Sequence, residues 1–160
     1  MERLLKYNMD IDFTIENNRL NARASALIFN KDKTKILLFK IENRDYYMLP
    51  GGRINFYEDS LTAIKREIKE EIGYNLDYQL IAIEENFITR DNIKITQYCF
   101  CYKAIYKENI NNTKLISKNN NNQYFYWIDI NELNNYNIVP KSTYQLIKDN
   151  NNIKHLIEKN

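Results

Sequence analysis

The stretch LPGGRINFYEDSLTAIKREIKEEIGYNL, residues 49–76, decides the reading of this chain. It opens on a glycine pair and runs into a segment crowded with glutamate. Residues 59–73 read as a helix. Leu61, Ile64, Ile68 and Ile72 recur at helical spacing, Asp59 or Ser60 suits the start, and Gly73 stands where a helix stops. Glu67, Glu70 and Glu71 then stand at i, i+3 and i+4, on one face. Like charges at that spacing cost about 0.2–0.5 kcal/mol per pair. A cation over the face removes the conflict, and hard divalent ions such as Mg²⁺ prefer carboxylate oxygens. Gly51 and Gly52 let the backbone approach closely, so a carbonyl there can add a ligand. A metal held by carboxylates, with water in its open positions, suits attack at phosphorus.

Outward from this stretch the chain is ordinary in bulk. Its 160 residues suit one domain, taken as 1–160, and 44% hydrophobic residues are enough for a core. A net charge of +2 is too small to point to a nucleic-acid or membrane partner. No run approaches the roughly 20 apolar residues of a membrane span. The first 13 residues have scattered charges and no apolar export core, so a cytoplasmic protein is expected. Cys99 and Cys101 lie two apart in an apolar run and would share one face of a strand. With His155 the only histidine, they read as buried, reduced thiols.

Strands are expected at 22–29 and 35–40 around the turn at 30–34, then at 46–50, 78–89, 93–106 and 123–130. The asparagine-rich tract 111–123 reads as an exposed loop. A short helix is expected at 130–135 and a terminal one over 141–159, with His155 on its surface. Trp127 reads as core. Strands and helices are mixed without regular βαβ alternation, which favours an α/β fold with a mixed sheet and helices on its faces.

The spacing Gly52, five residues, Glu58, seven residues, Arg66-Glu67-Ile68, one residue, Glu70-Glu71, one residue, Gly73 resembles the Nudix box, the signature of the Nudix (MutT-like) hydrolases. Seven fixed glycine, glutamate and arginine positions match, a coincidence on the order of 10⁻⁹ per window at average residue usage. The one departure is Tyr74, where the family usually has an aliphatic residue and where a tyrosine can still pack. The flanking strands are similar as well, so the resemblance covers about residues 9–150. It implies a Nudix α/β/α sandwich and a Mg²⁺- or Mn²⁺-dependent pyrophosphohydrolase. Such an enzyme cleaves a phosphoanhydride in a nucleoside diphosphate linked to another moiety, as in ADP-ribose, a nucleotide sugar or a nucleoside triphosphate. By the same match, Glu67, Glu70 and Glu71 are the metal ligands, helped by the Gly51 or Gly52 carbonyl. Arg66 orients a glutamate, and Glu58 supports the loop or helps hold metal.

Around the box, Tyr46, Tyr47, Phe56 and Tyr57 suit two roles, stacking on a nucleobase or packing against the sheet. Arg23 and Arg53 suit a phosphate contact or an ordinary solvated charge. The expected partner is a nucleotide-derived small molecule, with no membrane and no nucleic acid; a homodimer stays open. The rival reading is a non-catalytic nucleotide-sensing or partner-binding domain on the same fold, against which the intact glutamate triad weighs. Many relatives carry a further glutamate on a later strand, and by alignment it falls at Gln97-Tyr98. Glutamine does not titrate and tyrosine has a pKa near 10, so neither replaces a carboxylate base. Glu84 and Glu85 are the acidic neighbours, and adjacent strand residues face opposite ways, so at most one reaches the cluster. The expectation is that the box helix itself supplies the base, from Glu71 or Glu67.

Overall fold

Runs of β-branched and aromatic residues, broken by Asn-, Asp- and Gly-rich turns, assemble one mixed sheet. The computed structural model describes residues 9–160; the first eight residues of the segment read for an export signal lie outside them. Among the described residues the strands are β1 (Asp12–Ile15), β2 (Asn18–Asn30), β3 (Lys35–Ile41), β4 (Gly51–Arg53), β5 (Gln79–Arg90), β6 (Ile93–Tyr106), β7 (Lys114–Ile116), β8 (Gln123–Asp129) and β9 (Lys154–Lys159). They order as β7-β8-β3-β2-β6-β5-β9, with β1 and β4 pairing β2. The β2–β6 and β5–β9 pairs are parallel and the rest antiparallel.

Alternation along β2 sorts its residues between two cores. Ala24, Ala26 and Ile28 face helix α1 (Ser60–Ile72), whose Ala63, Ile64, Ile68 and Ile72 are buried there with Trp127. Leu27 and Phe29 face the other side, with Cys99, Cys101 and helix α2 (Ser142–Lys148) through Leu146 and Ile147. A 3-10 turn, Ile130–Asn135, adds Leu133 to that second core. The result is the expected α/β/α sandwich.

The sheet is split beside β2. Its C-terminal end pairs with β3 only at Phe29 and Ile36, whereas Arg23–Ser25 pair with β4. That gap admits side chains from α1. Helix α1 begins where Asp59 accepts from the Thr62 N–H at 2.9 Å. It ends at Gly73 in the left-handed region (φ 77°), whose N–H donates back to Ile68 and Lys69.

Three local expectations are corrected. Residues 141–159 are not one helix: α2 stops at Lys148, three asparagines follow, and β9 runs parallel to β5. The segment KHLIEK alternates half-buried and exposed positions, a period of two that suits an edge strand. Residues 46–50 form only isolated bridges, Phe39–Met48 and Tyr47–Ile138, since Pro50 has no N–H to extend a ladder. The tract 111–123 contributes β7 to the sheet edge and buries Ser117. Strand β1 had no clear signal. Tyr74 does pack, stacking on Tyr106 with centroids 4.2 Å apart, and Trp127 and both cysteines are buried. No helix among the described residues is long and apolar enough to cross a membrane.

Replacing Gly73 with alanine puts a Cβ in the left-handed region, at about 1–2 kcal/mol. Its only close neighbour is the flexible end of Lys118, which can move. Urea denaturation of Gly73→Ala should therefore show a loss of about that size with an unchanged m-value. An alanine variant as stable as the parent would contradict this account of the helix end.

Candidate active site

The acidic face of α1 is unequal in its surroundings. Glu71 is 7% exposed, Glu67 has a side chain 15% exposed, and Glu70 is half exposed at 52%. Arg66 organises them. Its Nε and Nη2 donate to the two oxygens of Glu58 at 2.8 and 3.0 Å, a bidentate pair. Nη1 donates to Glu67 Oε1 at 2.6 Å and lies 3.6 Å from Glu70 Oε2. Nη2 also reaches the Arg53 carbonyl at 3.0 Å, which ties the guanidinium to β4. Glu58 in turn accepts from the Asn55 N–H at 2.9 Å, so it braces the loop.

Gly52 is where the glycine pair acts. A Cβ there would lie 2.2 Å from the Glu67 carboxyl carbon and 2.3 Å from one of its oxygens. The missing side chain is the window through which Glu67 passes β4. Glu67 and Glu71 thereby reach a cleft of about 750 Å³ on the α2 side of the sheet. Arg23, Gly51 and Gly52 line the same end, and Arg23 donates to the Leu49 carbonyl at 3.4 Å.

Glu71 is charged at a cost. Among the described residues, no hydrogen bond or ion pair reaches its carboxylate. Burial first, then the neighbouring Glu67 charge, push its pKa up to about 8, with Arg23 opposing. Burial also raises Glu67, against the pull of Arg66. Glu58 moves the other way, held low by the Arg66 hydrogen bonds. A desolvated, unpartnered carboxylate beside a second one is what a divalent cation would relieve, so the residues present fit Mg²⁺ or Mn²⁺.

One row of the cleft floor is polar and neutral. Gln97 donates to Asn21 Oδ1 at 2.9 Å, and Asn86 points its amide at Gln97 Oε1, 3.5 Å away. Among the described residues Asn86 Oδ1 and Thr143 Oγ1 are buried without a partner, and both residues line the cleft. This row lies on three neighbouring strands, and no motif in the sequence announces it. Gln97, at the position where many relatives carry a glutamate, belongs to it.

The other expected residues divide. Arg53 donates to Asp12 at 2.9 Å on the cleft rim, and Arg19 joins Asp12 with two more bonds. Those bonds, led by Arg19 and opposed by burial, hold Asp12 down at about 2. The structure places Tyr46, not Tyr47, among the cleft residues. Tyr47 packs edge-on between Tyr126 and Tyr136, and Tyr57 is fully exposed outside the cleft. Glu84 faces the cleft and accepts from Ser142 at 3.0 Å. Glu85 lies on the other face against His155, which is exposed on β9 rather than on a helix.

Residues 19–149 match the NUDIX domain family, and the chain belongs to it as a Nudix hydrolase. It is 38% identical over 74 residues to the m7GpppN-mRNA hydrolase of Saccharomyces cerevisiae, a match covering 46% of this chain and 7% of that protein. It is 38% identical over 53 residues to the RNA pyrophosphohydrolase of Ruthia magnifica, covering 33% of this chain and 30% of that one. The chain therefore matches only a minor part of these relatives' length. The fold resembles the MutT protein of Bacillus halodurans, with a TM-score of 0.65, 17% identity, and coverage of 84% and 89% of the two chains.

Glu71 gives a pH test. Its folded pKa lies above the ordinary 4.5, so the native state holds a proton that the unfolded chain has released. Stability from this group is complete below about 4.5 and falls as pH rises towards about 8. Thermal melts without metal should show this downward slope, and Glu71→Gln should flatten it. Millimolar Mg²⁺ should also flatten it, since binding to the native state offsets the charge. Equal slopes in parent and Glu71→Gln would refute the assignment.

Proposed function

We propose that this chain hydrolyses a phosphoanhydride bond in a nucleoside diphosphate linked to another moiety, using Mg²⁺ or Mn²⁺. The observation that carries this reading is the pair Glu67 and Glu71, sunk without full compensation at one end of a large cleft. Glu67, Glu70 and Glu71 would hold the ion, with the Gly51 or Gly52 carbonyl beside them. When bound, the ion polarises the phosphoryl oxygens and lowers the pKa of the attacking water.

The chain's own groups do the rest. Arg66 fixes Glu67 so that its carboxylate need not reorganise. Arg23, a cleft-lining side chain whose charge acts on both Glu67 and Glu71, balances charge where phosphate oxygens would lie. The Asn21–Gln97–Asn86 row is uncharged and offers donors and acceptors, which suits the part of the substrate that is not phosphate. The water's proton goes to a glutamate of α1, Glu71 or Glu67. Glu84 accepts from Ser142 beside the two cysteines, and Glu85 lies on the opposite face, which supports a base on α1 rather than on β5.

A hydrolysis screen over nucleoside triphosphates, ADP-ribose, nucleotide sugars, dinucleoside polyphosphates and a 5′-triphosphorylated oligonucleotide tests this reading. Turnover should require Mg²⁺ or Mn²⁺ and stop in chelator. Glu70→Gln and Glu71→Gln should each lower kcat by at least about a hundredfold in a folded protein, the scale of losing a charge at the reacting centre. Glu84→Gln and Glu85→Gln should stay within about tenfold of the parent, below the usual contribution of a general base. Full activity in chelator would overturn the mechanism. A loss beyond a hundredfold at Glu84 or Glu85, with nucleotide still bound, would move the base there.

A further inference from the structure

Three adjacent strands bring four polar side chains together on the α2 face of the sheet. Ser25 of β2 stands opposite Cys101 of β6, and Glu84 of β5 stands opposite Cys99. All four are buried, at 3% for Ser25, Glu84 and Cys99 and 1% for Cys101. The two sulfurs are 3.9 Å apart. Ser25 Oγ lies 3.3 Å from Cys99 Sγ and 3.0 Å from Cys101 Sγ. One carboxylate oxygen of Glu84 and both sulfurs fall within 4.8 Å of one another.

The donor set selects a cation. A hard ion such as Mg²⁺ takes oxygens and avoids sulfur, whereas Zn²⁺ takes thiolate at about 2.3 Å and carboxylate at about 2.0–2.2 Å. Sulfurs 3.9 Å apart, each about 2.3 Å from a common ion, subtend about 116°, close to tetrahedral. That spacing comes from two residues of one strand, so the strands need not shift. The Ser142 hydroxyl donates to Glu84 Oε1 at 3.0 Å, the kind of outer contact that orients a ligating carboxylate. Ser25, Glu84 and Cys99 also line the cleft, which leaves room for water or a substrate atom in a fourth position.

We propose that Cys99, Cys101 and Glu84 form a site for one thiophilic divalent ion, Zn²⁺, separate from the carboxylate site on α1. Both S–H bonds give their protons to solvent as the two Zn–S bonds form, and no electron is transferred. The proposal does not depend on the chain being a hydrolase.

The test uses the full chain, reduced and freed of metal, titrated with Co²⁺ as a spectroscopic stand-in and then with Zn²⁺ against a chromophoric chelator. One Co²⁺ per chain should produce a near-ultraviolet thiolate charge-transfer band, and one Zn²⁺ should abolish it. Millimolar Mg²⁺ should not. The Cys99→Ser, Cys101→Ser double variant should lose the band and weaken Zn²⁺ binding by at least about a hundredfold. Glu84→Gln should keep the band and weaken binding by at least about tenfold. Glu67→Gln with Glu71→Gln should leave both unchanged. If the double variant fails to fold, Zn²⁺ protection of the parent's two thiols from alkylation replaces it. A parent with no thiolate band, or Zn²⁺ binding that survives loss of the cysteines or disappears with the α1 glutamates, overturns the proposal and leaves a hydrogen-bonded thiol cluster.

Discussion

The guanidinium of Arg66 is the interaction on which the candidate active-site end depends. It is mostly buried and joins Glu58, Glu67 and the Arg53 carbonyl, with Glu70 close by. One planar group thus ties the loop after β4, the strand itself and the acidic face of α1. Removing one partner from such a pair leaves uncompensated buried charge, typically at about 3–5 kcal/mol. The fork geometry matters as much as the charge, because a lysine could not bind Glu58 with two parallel bonds.

The second constraint is the one Arg66 leaves unmet. Its donors are taken by Glu58, Glu67 and the Arg53 carbonyl, and Glu71 goes deeper into the protein with no partner among the described residues. The hydrophobic anchors Ile64, Ile68 and Ile72 hold the helix at that depth, so the carboxylate cannot retreat into solvent. Local stability is given up at this carboxylate, as is common at functional sites.

The split sheet links these features to the cleft. Strand β2 pairs with β4 along Arg23–Ser25 and with β3 only at Phe29. The opening lets an α1 side chain reach the opposite face, past a residue with no Cβ. On that face Arg23, Cys99 and Glu84 stand in one cross-strand row, with the neutral amides Asn21, Gln97 and Asn86 in the row beside it and Ser25 and Cys101 on the other side. One surface thus carries hard-oxygen, amide and sulfur chemistry within a single cleft.

Much of this was legible in the sequence because local rules carry it. The i, i+3, i+4 glutamates, the Asp59 cap, the Gly73 stop and the isoleucine stripe depend on helix geometry alone. The family resemblance followed from residues 52–73. The shared face of Cys99 and Cys101 followed from strand alternation. Only tertiary structure decided which glutamate is buried, because Glu67, Glu70 and Glu71 look equivalent on a helical wheel and differ by what packs against them. It also decided that Tyr46 rather than Tyr47 lines the cleft. Distant pairing brought Asn21, Asn86 and Gln97 into one row, and Ser25 and Glu84 to the cysteines; no local spacing encodes such pairing. Residues 154–159 read locally as helix for the same reason. The strand KHLIEK has its place because β5 offers an open edge, a partner 70 residues away in the chain from His155 to Glu85.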